Sequence, residues 1–415
     1  MENNYVKRIV ETESSEKLKA SGAVLIRGPK ACGKTVLAKR YAKSILRVDT
    51  DPIVPIKMQF SPKELLDGET PRLIDEWQKQ PILRDFVRHE VDERNKVGQF
   101  ILTGSSTPDD ESEQHSGAGR FTVIDMNTLS WLEMGYSTGK VSLSKLLDGE
   151  AIPSDEPSIT FNELIERIII GGWPSNLGKD LESARIVNRD YLKLISEVDI
   201  SRVKGSIRRD PLKVKAMIKS LARNISTPAD MQTIADDTEN EGAQITRATS
   251  FDYYAALSRL MIVKEQPAWN THLRSTAELR KTPKRHFCDV SLVAAALDIN
   301  KDRITQDPNF LGFIFESLVV QNISIYANAI NANVYYYRDS SGNEIDAIVQ
   351  RENGDWAGFE IKLNENDAQL AAEKLIEISK NIKTPPKSLN IITPAPRSYP
   401  LKNGVNVISI ASLGI

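Results

Sequence analysis

Residues Ser21 to Ile45 read SGAVLIRGPKACGKTVLAKRYAKSI, and the reading of this stretch decides the fold. Ala23 to Ile26 is a short apolar run of the kind a buried strand makes. Gly28, the intervening Pro29, Lys30, Ala31 and Cys32, then Gly33, Lys34 and Thr35 complete a phosphate-loop pattern. The segment TVLAKRYAKSIL follows, with Val36, Leu37 and Tyr41 at helical spacing. Strand, glycine-rich loop and helix thus stand in the order the pattern requires. Glycines let backbone N–H groups approach phosphate oxygens; Lys34 would reach the β- and γ-phosphates, and Thr35 would hold Mg²⁺. The helix start adds a favourable dipole. A chance glycine-rich turn is the alternative, and the flanking strand and helix argue against it. The expected ligand is ATP with Mg²⁺.

Further on, Pro71 to Gln78 reads PRLIDEWQ. Leu73 and Ile74 lead into an acidic pair. Asp75 would bind the Mg²⁺ shell and Glu76 would polarise the attacking water as general base. A helix N-terminus with favourable acids would read the same way. In QFILTGSST, Phe100 to Thr103 is a second buried strand. Thr103 or Ser105 at its tip would touch the γ-phosphate or the water, or simply form a polar turn. Arg120 follows Gly117 and Gly119 and precedes another strand. It would act on the nucleotide in cis, reach a neighbouring subunit's nucleotide as a finger, or be a surface arginine.

The ordered set GPKACGKT, LIDEWQ, FILTGSS, GAGR and GGWP (Gly171 to Pro174) resembles the prokaryotic AAA-type ATPases whose C-terminal half is a domain of unknown function with a restriction-endonuclease-like core. The resemblance covers nearly the whole chain. It implies an N-terminal P-loop ATPase, a central winged helix, a C-terminal nuclease-like domain and a ring assembly. Two departures stand out: the short, charged lead-in to Asp75, and the acidic insert PDDESEQHSGAG, where relatives carry a leucine-containing segment before the Gly-Arg.

The expected fold class is α/β. A P-loop AAA-type ATPase domain spans 1–140, a helical connecting region 141–204, a winged helix-turn-helix 205–298 and a PD-(D/E)xK nuclease-like domain 299–415. In the middle, NTLSWLEMGY and FNELIERIIIGGWP read as helices, the second stopped by glycine and proline. DPLKVKAMIKSLARNI, TPADMQTIADDT and ITRATSFDYYAALSRL give three more, followed by strands in MIVKEQPAW and KRHFCDV. Arg280, Lys281, Lys284 and Arg285 cluster in the expected wing. A basic wing would contact DNA phosphates, and Thr246, Arg247, Thr249 and Ser250 are the few base readers on the third helix. Winged helices also mediate purely protein contacts, so DNA binding and protein binding both stand.

In the last third, GNEIDAIVQRENGDWAGFEIKL (Gly342 to Leu363) reads as two strands and a tight turn. The helix PNFLGFIFESLVVQNISIYANA, with Glu316, and the strand NVYYYRD precede it; the helix NDAQLAAEKLIEISKNI and strands SLNIITPA and NVISI follow. This order resembles the PD-(D/E)xK core, and Asp346 with Glu360-Ile361-Lys362 matches its D…ExK signature. On the strand, Phe359, Ile361 and Leu363 share one face, Glu360 and Lys362 the other. Register decides whether Asp346 joins them. A two-residue Asn353-Gly354 turn puts Asp346 opposite Ile361. A three-residue loop, Glu352-Asn353-Gly354, pairs Arg351 with Asp355 and Asp346 with Glu360, with Gly354 in the left-handed position such loops favour; this loop is expected. Asp346, Glu360 and the Ile361 carbonyl would then ligate Mg²⁺, Glu316 would add a carboxylate, and the metal would activate water and stabilise a pentavalent phosphate. Lys362 would orient the nucleophile or offset charge. An active nuclease, a nuclease fold retained for binding or assembly, and a merely solvated charged face remain open.

The chain has 415 residues, 40% hydrophobic and 27% charged, which suggests about three domains. With a formal net charge of −2 it is no polycation, so any nucleic-acid contact needs a local patch such as the net-positive stretch from Gly205 to Phe287. Two cysteines without a CxxC pair and four scattered histidines exclude a disulfide framework and a zinc finger. The N-terminus is too polar for a signal peptide, and no run approaches the ~18 apolar residues of a membrane span. The expectation is a cytoplasmic protein, alone or as a homo-oligomer, with ATP and DNA as partners.

Overall fold

The computed structural model describes residues 5–104, 117–203, 209–270 and 282–415. The chain forms two compact units: Met1–Thr128 with Arg202–Ser206 and Ala256–Ile262, and Leu129–Ser201 with Ile207–Ala255 and Val263–Ile415.

The first unit runs α1 (Glu11–Ala20), β1 (Ala23–Arg27), α2 (Lys34–Lys39), β2 (Ser44–Arg47), α3 (Ile53–Phe60), β3 (Arg72–Asp75), α4 (Leu83–Arg94), β4 (Phe100–Gly104) and β5 (Phe121–Asp125). All strand pairs are parallel, in the order β2-β3-β4-β1-β5. The apolar runs read from the sequence have this cause: both sheet faces are covered. Ala23, Ile74, Phe100 and Leu102 pack with Val54, Leu83 and Val87 on one face, while Val24, Ile26, Leu73 and Ile101 pack with Leu37 and Ala38 on the other. β1 stands between β4 and β5, but its own crossover leads past β4 to β2. Strand order reverses there, and open α/β sheets bind ligands at the carboxyl ends of strands at such a point.

The expected helix TVLAKRYAKSIL is shorter than its spacing suggests. It ends at Lys39, and Ser44–Arg47 become strand β2. Pairing Leu46 with Ile74 buries the leucine in the sheet, a tertiary gain that overrides local propensity.

The second unit begins with β6 (Val141–Ser142), α5 (Leu143–Leu147), α6 (Phe161–Ile170) and α7 (Leu181–Leu194). A π-helical turn at Ile195–Asp199, then α8 (Ile200–Arg202), α9 (Pro211–Arg223), α10 (Met231–Asp237) and α11 (Arg247–Arg259) follow, with Arg202 and Ala256–Arg259 counted in the first unit. Next come β7 (Val263–Gln266), β8 (Lys284–Phe287), α12 (Ser291–Leu297), α13 (Lys301–Gln306) and α14 (Pro308–Ala329). The unit closes with β9 (Ala332–Arg338), β10 (Glu344–Arg351), β11 (Trp356–Ile361), α15 (Ala368–Lys380), β12 (Ser388–Thr393), β13 (Tyr399–Pro400), β14 (Asn406–Ser409) and β15 (Leu413–Gly414). Helix starts follow local chemistry. Thr160 and Glu163 form a reciprocal capping box on α6, and Asp210, Asp230 and Asp307 cap α9, α10 and α14 with their side chains.

NTLSWLEMGY is not the expected helix; residues 127–136 run as turns. Tertiary partners take its backbone: Trp131 N–H donates to Asn322 Oδ1 at 2.7 Å and Leu132 N–H to the Tyr326 hydroxyl at 3.2 Å. GGWP is a packing joint. A Cβ on Gly171 would overlap the Asp289 carboxylate, and Gly172 N–H donates to Asp289 Oδ2 at 2.9 Å. α14 is long and apolar enough to cross a membrane, which the sequence-based expectation did not allow for, and 72% of its apolar window is buried, as in the core helix of a folded domain.

The six-stranded sheet has the order β13-β14-β12-β11-β10-β9. β9, β10 and β11 pair antiparallel, and β11, β12 and β14 parallel. Ile348, Trp356 and Ile391 pack with Ala372 and Leu375 of α15. Ala347 pairs with Phe359 and Val349 with Ala357, and Arg351 N–H reaches Asp355 O at 2.9 Å. The loop is therefore the three-residue Glu352–Gly354, with Gly354 at φ 90°. The recorded pairing ends at Ala347 and Phe359, one residue short of Asp346 and Glu360, where β10 shifts register against β9.

Candidate functional site

The first site forms at the carboxyl end of β1. Backbone conformation there is unusual: Ala31 has φ 62° and Gly33 φ 103°, the left-handed turns from which anion-binding loops are built. Gly28 has no room for a side chain, because a Cβ would overlap the Met126 carbonyl oxygen. Lys34 folds back over the loop; its Nζ donates to Gly28 O at 2.9 Å and Pro29 O at 2.8 Å. Asp75 ends β3 beside it. Its Oδ1 accepts from Thr35 Oγ1 at 2.8 Å and from Thr103 Oγ1, at the tip of β4, at 2.5 Å. The first turn of α2 and the tip of β4 thus converge on the carboxylate that ends β3. Glu76, the next residue, sits at φ 56°, a left-handed conformation uncommon outside glycine, and Gln78 Nε2 donates to its Oε2 at 2.6 Å.

The dipole expected from the following helix is small, since α2 has only six residues. Ser105 lies outside the described residues. Arg120 is not at this site. β5 runs parallel to β1, with Phe121 beside Ala23 and Asp125 beside Arg27. Arg120 therefore lies at the amino end of the sheet, about 16 Å of strand from the loop, and pairs with Asp92 at 2.9 Å. That distance removes the expected contact in cis. Sequence reading missed Arg8. Its buried guanidinium donates to Cys32 O at 2.8 Å and Asn127 O at 2.7 Å, bracing the loop against the segment after β5. No motif announces it, because it works through backbone carbonyls.

The second site lies around β10 in the other unit. Lys284 enters it from β8. Its Nζ is 2.7 Å from Glu316 Oε1, 2.5 Å from Glu344 Oε1 and 3.7 Å from Asp346 Oδ1, and its side chain is 2% exposed. Lys362 pairs with Glu360 at 2.7 Å. β10 bulges between Ile345 and Ile348. There Asp346 Oδ2 accepts the Ile361 N–H at 2.8 Å, and the Gln266 amide donates to Asp346 O and Tyr335 O, both at 2.9 Å.

Burial and the neighbouring Asp346 charge push Glu316 up to about 8, despite Lys284 beside it. The same two causes push Glu360 up to about 7. Burial pulls the Lys284 ammonium down, but Glu316, Asp346 and Glu344 outweigh it and hold the lysine charged. Burial, then the charge of Lys284, pushes His286 down to about 3, so this imidazole is neutral.

These positions correct two expectations. Lys284 and Arg285 do not face phosphates on a wing; both are buried, and Arg285 donates to the Ala229 carbonyl. Arg280 and Lys281 lie outside the described residues. Glu316, Asp346 and Glu360 do not form the expected metal set. Among the described residues no group of three or more His, Cys, Asp or Glu side chains is placed to hold a metal ion. An ammonium stands where the carboxylates of α14 and β10 meet, Glu360 is bonded to Lys362, and Ile361 offers its N–H.

Residues 20–135 match a family model described as an AAA domain. Residues 161–303 match a domain of unknown function (DUF8612), and residues 311–413 another (DUF4143). No curated protein matches the chain. Among solved structures it is similar to a Walker-type ATPase of Pyrococcus abyssi, at 14% identity over 72% of this chain and 97% of that one, with a TM-score of 0.45. It is also similar to a signal-transduction ATPase with numerous domains and a tetratricopeptide-repeat sensor from Pyrococcus horikoshii, at 14% identity over 79% and 49% of the two chains, with a TM-score of 0.26. The AAA match assigns the first unit to the P-loop ATPase type.

Proposed function

We propose that the chain binds and hydrolyses ATP in its first unit and uses the cycle to switch a C-terminal, restriction-endonuclease-like domain that binds without cutting. One observation carries the ATPase reading: Thr35 and Thr103 both donate to Asp75 Oδ1 beside the glycine loop. Thr35 and Asp75 are hard oxygen donors 2.8 Å apart, a set that suits Mg²⁺. Bound there, the ion would neutralise phosphate charge. Lys34 would exchange its two loop carbonyls for phosphate oxygens. Glu76 would take the proton of the attacking water, with Gln78 orienting its carboxylate. Thr103 would hold Asp75 from the far side.

The test is ATP binding and turnover by the whole chain, against Lys34→Ala and Asp75→Asn. Turnover is expected to vanish in both. Turnover that survives Lys34→Ala would sink the reading.

The helix–strand–strand–strand–helix–strand order from α14 to β12 supports the nuclease-like kinship. Lys284 among the carboxylates favours the non-cutting version. The winged-helix reading of α9, α10, α11 and the β7–β8 hairpin goes with a protein partner rather than DNA. The exposed face of α11 offers Arg247 and Phe251, and two expected wing cations are buried. Arg120, on the opposite sheet end, would serve a neighbouring copy. Metal-dependent cutting of DNA or RNA by the wild type, lost in Asp346→Ala, would refute the non-cutting version.

A further inference from the structure

We propose that Lys284 is a tethered cation occupying the cation position of the carboxylate cluster, so that the chain excludes a divalent metal ion its own oxygens would otherwise bind. The inference deepens, and rests on, the reading of this domain as nuclease-like and non-cutting.

Three carboxylate oxygens, from α14 and β10, converge on the Lys284 ammonium at 2.5 to 3.7 Å. Divalent cations take such hard oxygens at about 2.0 to 2.6 Å; with Lys284 in place no such group among the described residues is positioned to hold one, so an ion would have to draw the carboxylates inward once the ammonium is gone. Carboxylates buried together demand a positive partner. Lys284 supplies it from within the chain. The Tyr336 ring, 5.6 Å from Nζ, and the neutral His286 imidazole also face it, while Arg338 stands 4.0 Å from the outer oxygen of Glu344. Lys362 bonds Glu360 and feels the charges of Asp346 and Glu316 only at longer range.

Lys284 is also anchored on both sides. Thr282 O accepts from the Tyr336 hydroxyl at 2.6 Å. His286 lies 3.1 Å from both Ser317 Oγ and Gln266 Oε1, and Gln266 in turn holds the β10 bulge through Asp346 O. These bonds fix the β8 backbone on either side of Lys284, and the ion pairs to Glu316 and Glu344 hold the ammonium itself. It is built into the site rather than draped over it.

The test is Mn²⁺ binding without nucleotide, by calorimetry and by the electron-spin-resonance signal of free Mn²⁺. Full-length wild type, Lys284→Met and the double variant Lys284→Met/Asp346→Asn are compared. Lys284→Met is expected to bind one Mn²⁺ at least about tenfold tighter than wild type, because the ion repairs the unpaired buried charge, and the double variant is expected to lose the gain. No gain in Lys284→Met would overturn the inference. Wild-type binding that Asp346→Asn abolishes would overturn it too, and this arm stands even if Lys284→Met does not fold; Lys284→Gln then replaces it. Nucleic-acid cleavage is scored in the same samples. Mn²⁺ binding by Lys284→Met without cutting upholds the inference and counts only against the nuclease kinship.

Discussion

The two sites share an inventory and differ in how they hold a lysine. In the first unit Lys34 rests on the carbonyls of Gly28 and Pro29. In the second, Lys284 rests on Glu316 and Glu344, with Asp346 close by. Neutral carbonyls form modest bonds that an anionic phosphate readily outcompetes. Carboxylates in a buried site bind an ammonium far more strongly, and removing it leaves uncompensated charge. The first lysine is available to a ligand and the second is committed to the fold. Burial does not distinguish them, since both are nearly inaccessible; the charge of the partner does.

Four measurements put this contrast at risk. The largest effect is expected from Glu76→Gln, which removes a general base while leaving the loop intact. Turnover should fall by about 10²- to 10⁴-fold with ATP affinity nearly unchanged; a parallel loss of affinity would show a structural role instead. Next, Lys284→Met should destabilise the second unit by about 3–5 kcal/mol, read from the denaturation midpoint, whereas Lys34→Met should cost far less. Equal costs would erase the distinction.

A smaller effect concerns pH. Glu316 is raised to about 8 in the folded state, from an ordinary carboxylate value. The native state therefore binds more protons than the unfolded one between about pH 4.5 and 8. This contribution is full below that window and is lost as pH rises through it, by up to about 1.4 kcal/mol per unit. Glu316→Gln should flatten the stability–pH profile there; an unchanged slope would show that another group sets it. The smallest effect is on stability in Arg120→Ala. Its pair with Asp92 is exposed, so Tm should not move. A fall in turnover that wild-type subunits rescue on mixing would mark a role between copies.

Local pattern made the first site readable. Gly28, Lys34, Thr35, Asp75 and Thr103 lie on strand ends, a turn and the start of α2, whose types follow from short windows of sequence, and parallel pairing brings those ends together. The β10–β11 register was readable too, because a three-residue loop with glycine in the left-handed position leaves one pairing. The β2 strand was not: TVLAKRYAKSIL fits a helix until Leu46 finds Ile74. Arg120 misled because a glycine-flanked arginine looks poised, while the direction of β5 puts it at the wrong end of the sheet.

The phosphate loop, the acidic partner at the end of β3, most of the helices and the three-residue Glu352–Gly354 loop with the register it sets were all written in the sequence. These rest on interactions within a few residues or on the strict two-residue period of strands. Only the tertiary structure decided what the Asp346 cluster holds. Lys284 is 32 residues from Glu316 along the chain and reads as one cation in a basic run. Which distant charge enters a low-dielectric pocket depends on packing and on the cost of leaving carboxylates unpaired, and no local spacing encodes either.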